Sequence, residues 1–315
     1  MSEDCQSIQV DGKVYDISIL RQIYTDVDAV RIIVPVYIFN DESFHIFRAC
    51  IESIKKYTQI NHEIWVVDNN SPPKFSSLLT QFEGINLVIN HTEPINPHKQ
   101  ISGGNRKWKN WIRSIIGNLR NPSQLKDGSY ANAIGLELAC RVIDEETKLL
   151  FTMHSDTLIL KAGWLSYLKS KMTERIRGVA CLKDKIRVNA LHISGLLFDY
   201  TLFKELKMDF LPNIRQSLSP DIPEYDVGDL ITIRLLEHSY EVFTCKNTYN
   251  KPSLVESIPA RNPLRELHSD RCFDDESDIF YIHMGRGTLK AKGTYHQVGK
   301  TYPKQWINFA ERFVL

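Results

Sequence analysis

The sequence predicts an α/β fold in which a mixed, mostly parallel sheet is flanked by helices. Three apolar, β-branched runs carry that expectation: Ala29 to Tyr37 (AVRIIVPVY), Glu63 to Asp68 (EIWVVD) and Leu149 to Phe151 (LLF). Each ends in polar or turn-forming residues, as strands buried on both faces of a parallel sheet do. Between the first two, Phe44, Phe47, Ile51 and Ile54 fall on one helical face, with Ser43 as the expected N-cap. Alternation of strand and helix implies right-handed β-α-β crossovers.

In order along the chain, residues 1–28 form an N-terminal extension with a short strand or hairpin. Pro35 is expected to end ladder pairing in the first main strand. A second helix carries Phe75, Leu78, Leu79 and Phe82, and Ile85 to Ile89 is a third strand. Residues 91–127 interrupt the pattern as an insertion. Within it, Arg106 to Leu119 places Trp108, Trp111, Ile112 and Ile115 roughly on one face beside Arg106, Lys107, Lys109 and Arg113. One reading is a surface helix packed by its tryptophans; the other is an element for an anionic membrane surface or an acceptor. Gly128 to Ala139 starts a further helix, and Leu158 to Leu160 is a second apolar run after LLF. Gly163 to Met172 reads as helix; Gly178 to Leu182 and Leu191 to Phe198 read as strands, with Gly195 marking a bend or close backbone approach. Phe210 to Tyr225 is loop, Asp226 to Leu236 enters a helix, and Tyr240 to Thr244 is a late strand. Residues 250–278 read as a polar loop before the apolar run Ile279 to Met284, and the tail 291–315 mixes lysines with aromatic residues.

Bulk properties exclude several classes. A net charge of +1 over 315 residues argues for neither a nucleic-acid partner nor a membrane, and no nucleic acid is expected. The six cysteines are far apart and form no C-x-x-C pair, so neither a zinc site nor a disulfide framework is indicated. The N-terminus lacks the basic and apolar regions of a signal peptide, and no apolar run reaches membrane-spanning length. A cytoplasmic protein with peripheral membrane contact is the expectation.

Chemistry concentrates in a few places. His154, Ser155 and Asp156 follow the LLF strand, where ligands of open α/β sheets bind. EIWVVD runs into Asn69, Asn70, Ser71 and Pro72; Asp226-Val227-Gly228-Asp229 opens a helix; YIHM leads into Gly285-Arg286-Gly287. In order and spacing, VRIIVPVY, EIWVVDNNSP, YANAIGLELA with LLFTMHSDTLILKAGWL, DVGDLITIRLLEHSYEV and YIHMGRGT resemble the inverting family 2 glycosyltransferases of the GT-A fold, over roughly residues 29–290.

That resemblance implies a nucleotide-sugar-binding half, 29–160, and an acceptor and catalytic half, 161–290. Pro35, Val36, Tyr37, Asp68 and Asn70 would meet the nucleotide, and Ser155 and Arg286 the diphosphate. A divalent metal, Mn2+ or Mg2+, would sit on Asp156 and His283, with His154 where the family carries its first acidic residue; imidazole tilts the choice toward manganese. Asp226 or Asp229 would be the general base, Asp229 slightly preferred for its place nearer the helix. The acceptor would be a glycan or a lipid-linked intermediate. Each residue also has a plain structural reading: Asp68 and Asp156 as turn caps, Asp226 as helix N-cap with Asp229 in the first turn, and His283 and His192 as core histidines. Two other functions compete. A sugar nucleotidyltransferase is disfavoured because the loop YIFNDES is acidic and lacks glycine; a degenerate fold kept as a binding module remains open because of His154 and the altered acidic pair.

Overall fold

The computed structural model describes residues 4–96, 128–185, 188–213, 224–285 and 303–315. The tryptophan-bearing helix expected over 106–119, and Arg286, lie outside the described residues.

The chain begins with a hairpin, β1 (Asp4–Val10) and β2 (Lys13–Leu20), turned at Asp11 and Gly12 with both in left-handed conformation. The first main strand is β3 (Val30–Val36), buried along its whole length. Helix α1 (Asp41–Tyr57) follows; Asn40, rather than Ser43, is its N-cap. Asn40 accepts from Ser43 N–H while Ser43 Oγ accepts from Asn40 N–H, a reciprocal box that puts the serine at the third helical position. Next come β4 (His62–Asn69), α2 (Pro73–Leu79), β5 (Asn86–Asn90), α3 (Gly128–Val142) and β6 (Leu149–Met153). The second half holds β7 (Thr157–Ile159), α4 (Trp164–Ser170), β8 (Ile176–Ala180), β9 (Lys183–Asp184), β10 (Ala190–Leu191) and β11 (Gly195–Asp199). It continues through α5 (Tyr200–Glu205), α6 (Asp229–Glu237), β12 (Glu241–Thr244), β13 (Lys246–Asn247), α7 (Pro263–Glu266), β14 (Asp270–Phe273), β15 (Ile279–His283) and α8 (Pro303–Phe313).

Two sheets position the site. The large one has nine strands in the order β1-β2-β5-β4-β3-β6-β11-β8-β12. Its centre, β5-β4-β3-β6, is parallel, and β2 and β11 run against the other strands. The small one is β13-β14-β15-β7, antiparallel throughout. Side chains alternate along β3. Ile32, Val34 and Val36 pack with Phe47, Ile51 and Ile54 of α1 and with Trp164 and Leu168 of α4. Ile33 faces the other way, into a core with Ile134 and Leu138 of α3 and Ile231 of α6. The sheet is therefore covered by helices on both faces, the arrangement the apolar strands require.

Several expectations shift in detail. β3 keeps register with β4 through Pro35 and Val36, and it is pairing with β6 that stops, at Ile33, before the proline that lacks an N–H. Leu191 to Phe198 is two strands, because the chain turns at His192–Ser194 before β11. A side chain at Gly195 would meet Cys181 Sγ at 3.0 Å and the Tyr281 ring at 3.2 Å, so the close approach there is real. The polar stretch 250–278 contains β14, and the tail contains α8, whose Trp306, Phe309 and Ala310 are buried with Ile46 and Ala49 of α1. No helix among the described residues is long and apolar enough to cross a membrane.

At the amino ends of the parallel strands sits a buried ionic network. Arg31, 1% exposed, lies 3.6 Å from Glu63 and 3.5 Å from Asp144, while Arg21 grips Asp144 through two contacts of 2.7 and 2.5 Å. Glu63 also accepts from Trp65 Nε1 at 2.7 Å. Removing one partner leaves an uncompensated buried charge. Glu63→Gln should therefore lower unfolding free energy by about 3–5 kcal/mol in chemical denaturation; a change under about 1 kcal/mol would show that the network is solvated.

Candidate functional site

The site forms where β6 ends. Thr152 is buried and donates to Ile193 O at 2.8 Å, which ties the strand to the turn before β11. His154 then leaves the large sheet. Its carbonyl accepts from Thr157 Oγ1 at 2.7 Å, closing a tight turn around Ser155 and Asp156. Thr157 opens β7 in the small sheet, with His283 of β15 opposite it. Met284 N–H extends the pairing to Asp156 O at 2.9 Å. The turn and the strand end thus bring Asp156 and His283 together from opposite halves of the chain.

The ligating atoms of His154, Asp156 and His283 all lie within 4.8 Å of one another. His283 Nε2 is 3.4 Å from Asp156 Oδ1. The ring centres of His154 and His283 are 5.5 Å apart. Two imidazoles sharing one ion at roughly 2.1 Å place their ring centres about 5 Å apart, so a small closure completes a centre. Buried His283 Nδ1 makes no hydrogen bond. Two imidazoles with a carboxylate suit a divalent transition metal, and the residues present fit one.

The electrostatics agree. Burial pushes the His154 imidazole down to about 3, helped by His283 and His192 and opposed by Asp156 and Asp226, so it is neutral and able to ligate. Burial acts to raise the Asp156 carboxyl, but His283 and His154 outweigh it and hold the group below the usual carboxylate range. For His283 burial acts downward and the Asp156 and Asp270 carboxylates overcome it, lifting the ring to about 10. The pocket favours positive charge between these groups.

Sequence reasoning favoured the core for His192, with the acceptor side as the alternative. It is half-buried instead, its ring 5.9 Å from His154 and 5.8 Å from His283. Ser194 Oγ lies 2.8 Å from its Nδ1. Asn132 of α3, which the sequence did not single out, holds His154 with Nδ2 3.2 Å from Nε2. Asp270, also missed, stands 3.5 Å from His283 Nδ1. Neither carried a pattern: Asn132 lies inside a helical run, and Asp270 opens a strand of four residues in a polar stretch.

Of the remaining candidates, Pro35, Val36, Tyr37, Asp68 and Asn70 lie at the carboxyl ends of β3 and β4, Ser155 follows β6, and Asp226 and Asp229 stand where the chain enters α6. Tyr37 follows β3, 38% exposed and stacked on Phe39 at 6.3 Å and 23°. Pro35 and Val36 are buried beside Val67 and Asp68. Asp68 accepts from Ser71 N–H at 3.1 Å and from Ser76 Oγ, so both its oxygens secure the turn into α2. Asn70 adopts φ 66° and donates to Asn90 O at 3.4 Å. Ser155 is half-buried in the turn beside Asp156. Asp229, 5% exposed, uses Oδ2 to accept from Asp226 N–H at 2.7 Å, across a turn that Gly228 makes with φ 71°. Asp226 is half-buried and near enough to act on the His154 charge.

No family model matches the chain, and no curated protein does. Solved structures do. A mannosyltransferase, PcManGT, from Pyrobaculum calidifontis, in complex with GDP-Man and Mn2+, shares 16% identity with a TM-score of 0.44. The match covers 70% of this chain and 55% of that one, so the chain spans about half of the mannosyltransferase's length. Mouse xyloside xylosyltransferase 1 shares 6% identity at a TM-score of 0.38, over 70% of this chain and 86% of that one. A 4-diphosphocytidyl-2C-methyl-D-erythritol synthase from Anaerococcus prevotii shares 11% at 0.36, over 70% and 89%. Likenesses this remote leave the chemistry to the chain's own site.

Proposed function

We propose that the chain is a metal-assisted, inverting glycosyltransferase that moves a sugar from a nucleotide-diphosphate sugar to a hydroxyl of a glycan or lipid-linked acceptor. The observation that carries this reading is the convergence of His154, Asp156 and His283 at the end of a central strand, with Asp226 alongside. The trio would hold a divalent ion, Mn2+ in preference to Mg2+ given its nitrogen donors. When bound, the ion neutralises charge on the departing diphosphate as a Lewis acid.

The chain's own residues divide the rest of the work. Asp226 takes the acceptor's hydroxyl proton as that oxygen attacks the anomeric carbon on the face opposite the leaving group. A half-buried carboxylate beside an apolar wall suits that role. Asp229 supports it by fixing the Asp226 backbone. This reverses the sequence preference between the two aspartates. Tyr37 offers its exposed ring to the base, with Pro35, Val36, Asp68 and Asn70 shaping the floor beneath it. Ser155 would meet the diphosphate, and Arg286 is proposed as a further contact from the sequence alone. The basic tryptophan segment 106–119 gives the protein its peripheral contact with an anionic membrane or a lipid-linked acceptor.

Three measurements test the reading. Calorimetry with UDP, GDP and dTDP should show binding of at least one that strengthens with Mn2+ and is lost in Asp156→Ala; nucleotide binding indifferent to metal in both proteins would remove the cation from the site. In a donor screen read by nucleotide release, Asp226→Asn should lower kcat by about 10²–10⁴. Unchanged turnover would take the base elsewhere, while binding without any turnover in the wild type favours a scaffold. Vesicles with anionic lipid should pellet the wild type more than Trp108→Ala/Trp111→Ala; equal pelleting would separate that segment from membranes.

A further inference from the structure

We infer that Asp270 is the positioning residue of the cation site, holding the His283 ring so that Nδ1 keeps its proton and Nε2 is presented to the ion. This rests on the metal-assisted reading above and adds to it the group that selects the tautomer.

The geometry is a row across the small sheet. Asp270 of β14 stands opposite His283 of β15, and His283 stands opposite Thr157 of β7. The imidazole therefore lies between two carboxylates, one at each nitrogen. Asp156 Oδ1 is 3.4 Å from Nε2, and Asp270 Oδ2 is 3.5 Å from Nδ1. These carboxylates are not equivalent. Asp156 belongs to the group whose atoms gather with His154, and Asp270 does not. Asp156 is thus the co-ligand, and Asp270 faces the nitrogen turned away from the ion.

An imidazole gives a metal one nitrogen, and the other then carries a proton that needs an acceptor. Nδ1 of His283 is buried and makes no hydrogen bond. The Asp270 carboxylate, 17% exposed, is in reach: a slight turn of the ring closes 3.5 Å to hydrogen-bond length. Its neighbour Arg271 does not compete for it. That guanidinium donates to the carbonyls of Leu264 at 2.7 Å, Ser269 at 2.6 Å and Leu267. Asp270 also cannot drift, because its backbone is held in the β14–β15 ladder. A carboxylate that accepts from the outer N–H fixes ring and tautomer and raises the basicity of the ligating nitrogen. An amide there can offer N–H to Nδ1 and so drive the proton onto Nε2, the nitrogen the ion requires.

The test uses the full chain with Zn2+ and Mn2+ as probes. Calorimetry would compare the wild type with Asp270→Asn, Asp270→Ala and Asp270→Glu. Long-range 15N–1H correlation spectra of the histidine-labelled, Zn2+-loaded protein would read the His283 tautomer directly. The expected result is metal-bound Nε2 with protonated Nδ1 in the wild type. Affinity should fall roughly 10–100-fold in Asp270→Asn and Asp270→Ala, and Asp270→Glu should recover most of it. Wild-type affinity and an unaltered tautomer in Asp270→Asn would overturn the inference while leaving the cation site standing. So would a loss of affinity that Asp270→Glu does not restore and that tracks a lower melting point of the metal-free protein, since that marks a merely structural aspartate. Failure of the wild type to bind either ion would overturn the underlying cation reading, and this inference with it.

Discussion

The register between β7 and β15 is the constraint on which the site depends. Thr157 lies opposite His283, and Asp156 O takes the Met284 N–H. A slip of one residue would turn His283 to the other face of the small sheet and separate it from Asp156. Contacts from outside the strands hold the register. Thr157 Oγ1 closes the turn onto His154 O, and Tyr281 donates its hydroxyl to Ser194 O at 2.7 Å. Those bonds link the small sheet to the large one at the point where the chain crosses between them. The site is thus a junction, and its geometry follows from how two sheets share one tripeptide.

Burial and charge act on that junction in opposite directions. Removing imidazole from water disfavours its charged form, and at His154 this penalty outweighs the opposing pull of Asp156 and Asp226. His283 meets the same penalty but has a carboxylate at each nitrogen, and its charged form wins. Two neighbouring histidines in one pocket are thereby driven apart. One is held neutral, and the other marks where positive charge is stabilised. A divalent ion seated beside Asp156 would answer the same electrostatic demand that a proton on His283 answers in its absence.

The legible parts of the chain were those with long apolar runs. β3, β4 and β6 announce themselves because a strand buried on both faces can carry little else, and they place His154 and Asp156 at a strand end, where the surrounding motifs made them candidates. His283 was legible from the apolar run before it and the glycine after it. His192 was not, because it sits in an apolar stretch whose break into two strands depends on the turn at Ser194 and on the approach of Tyr281 to Gly195. Asp270 was hidden for a related reason: β14 is four residues long, and its strand conformation comes from pairing with β15 and β13 rather than from local propensity. Trp306 was read as one aromatic residue in a lysine-bearing tail, whereas its helix packs on α1. In each case the deciding partner is distant in sequence.

Asp226 and Asp229 show how packing separates two residues of the same type. Both aspartates flank Gly228, whose left-handed conformation folds the chain back so that Asp229 Oδ2 reaches the Asp226 N–H. That bond commits Asp229 to the start of α6. Gly228 also sits directly on Ile193, where an added side chain would come within 2.7 Å. Ile193 in turn gives its carbonyl to Thr152 of β6 and lies between His192 and Ser194. The loop bearing Asp226 is therefore seated on the turn that borders the histidines, with Val227 buried in the core beneath it. No direct bond to His154, Asp156 or His283 is needed to place Asp226. Gly228 helps to seat that loop, because a larger residue there would be strained by the left-handed backbone and would have to displace the tip of the Ile193 side chain.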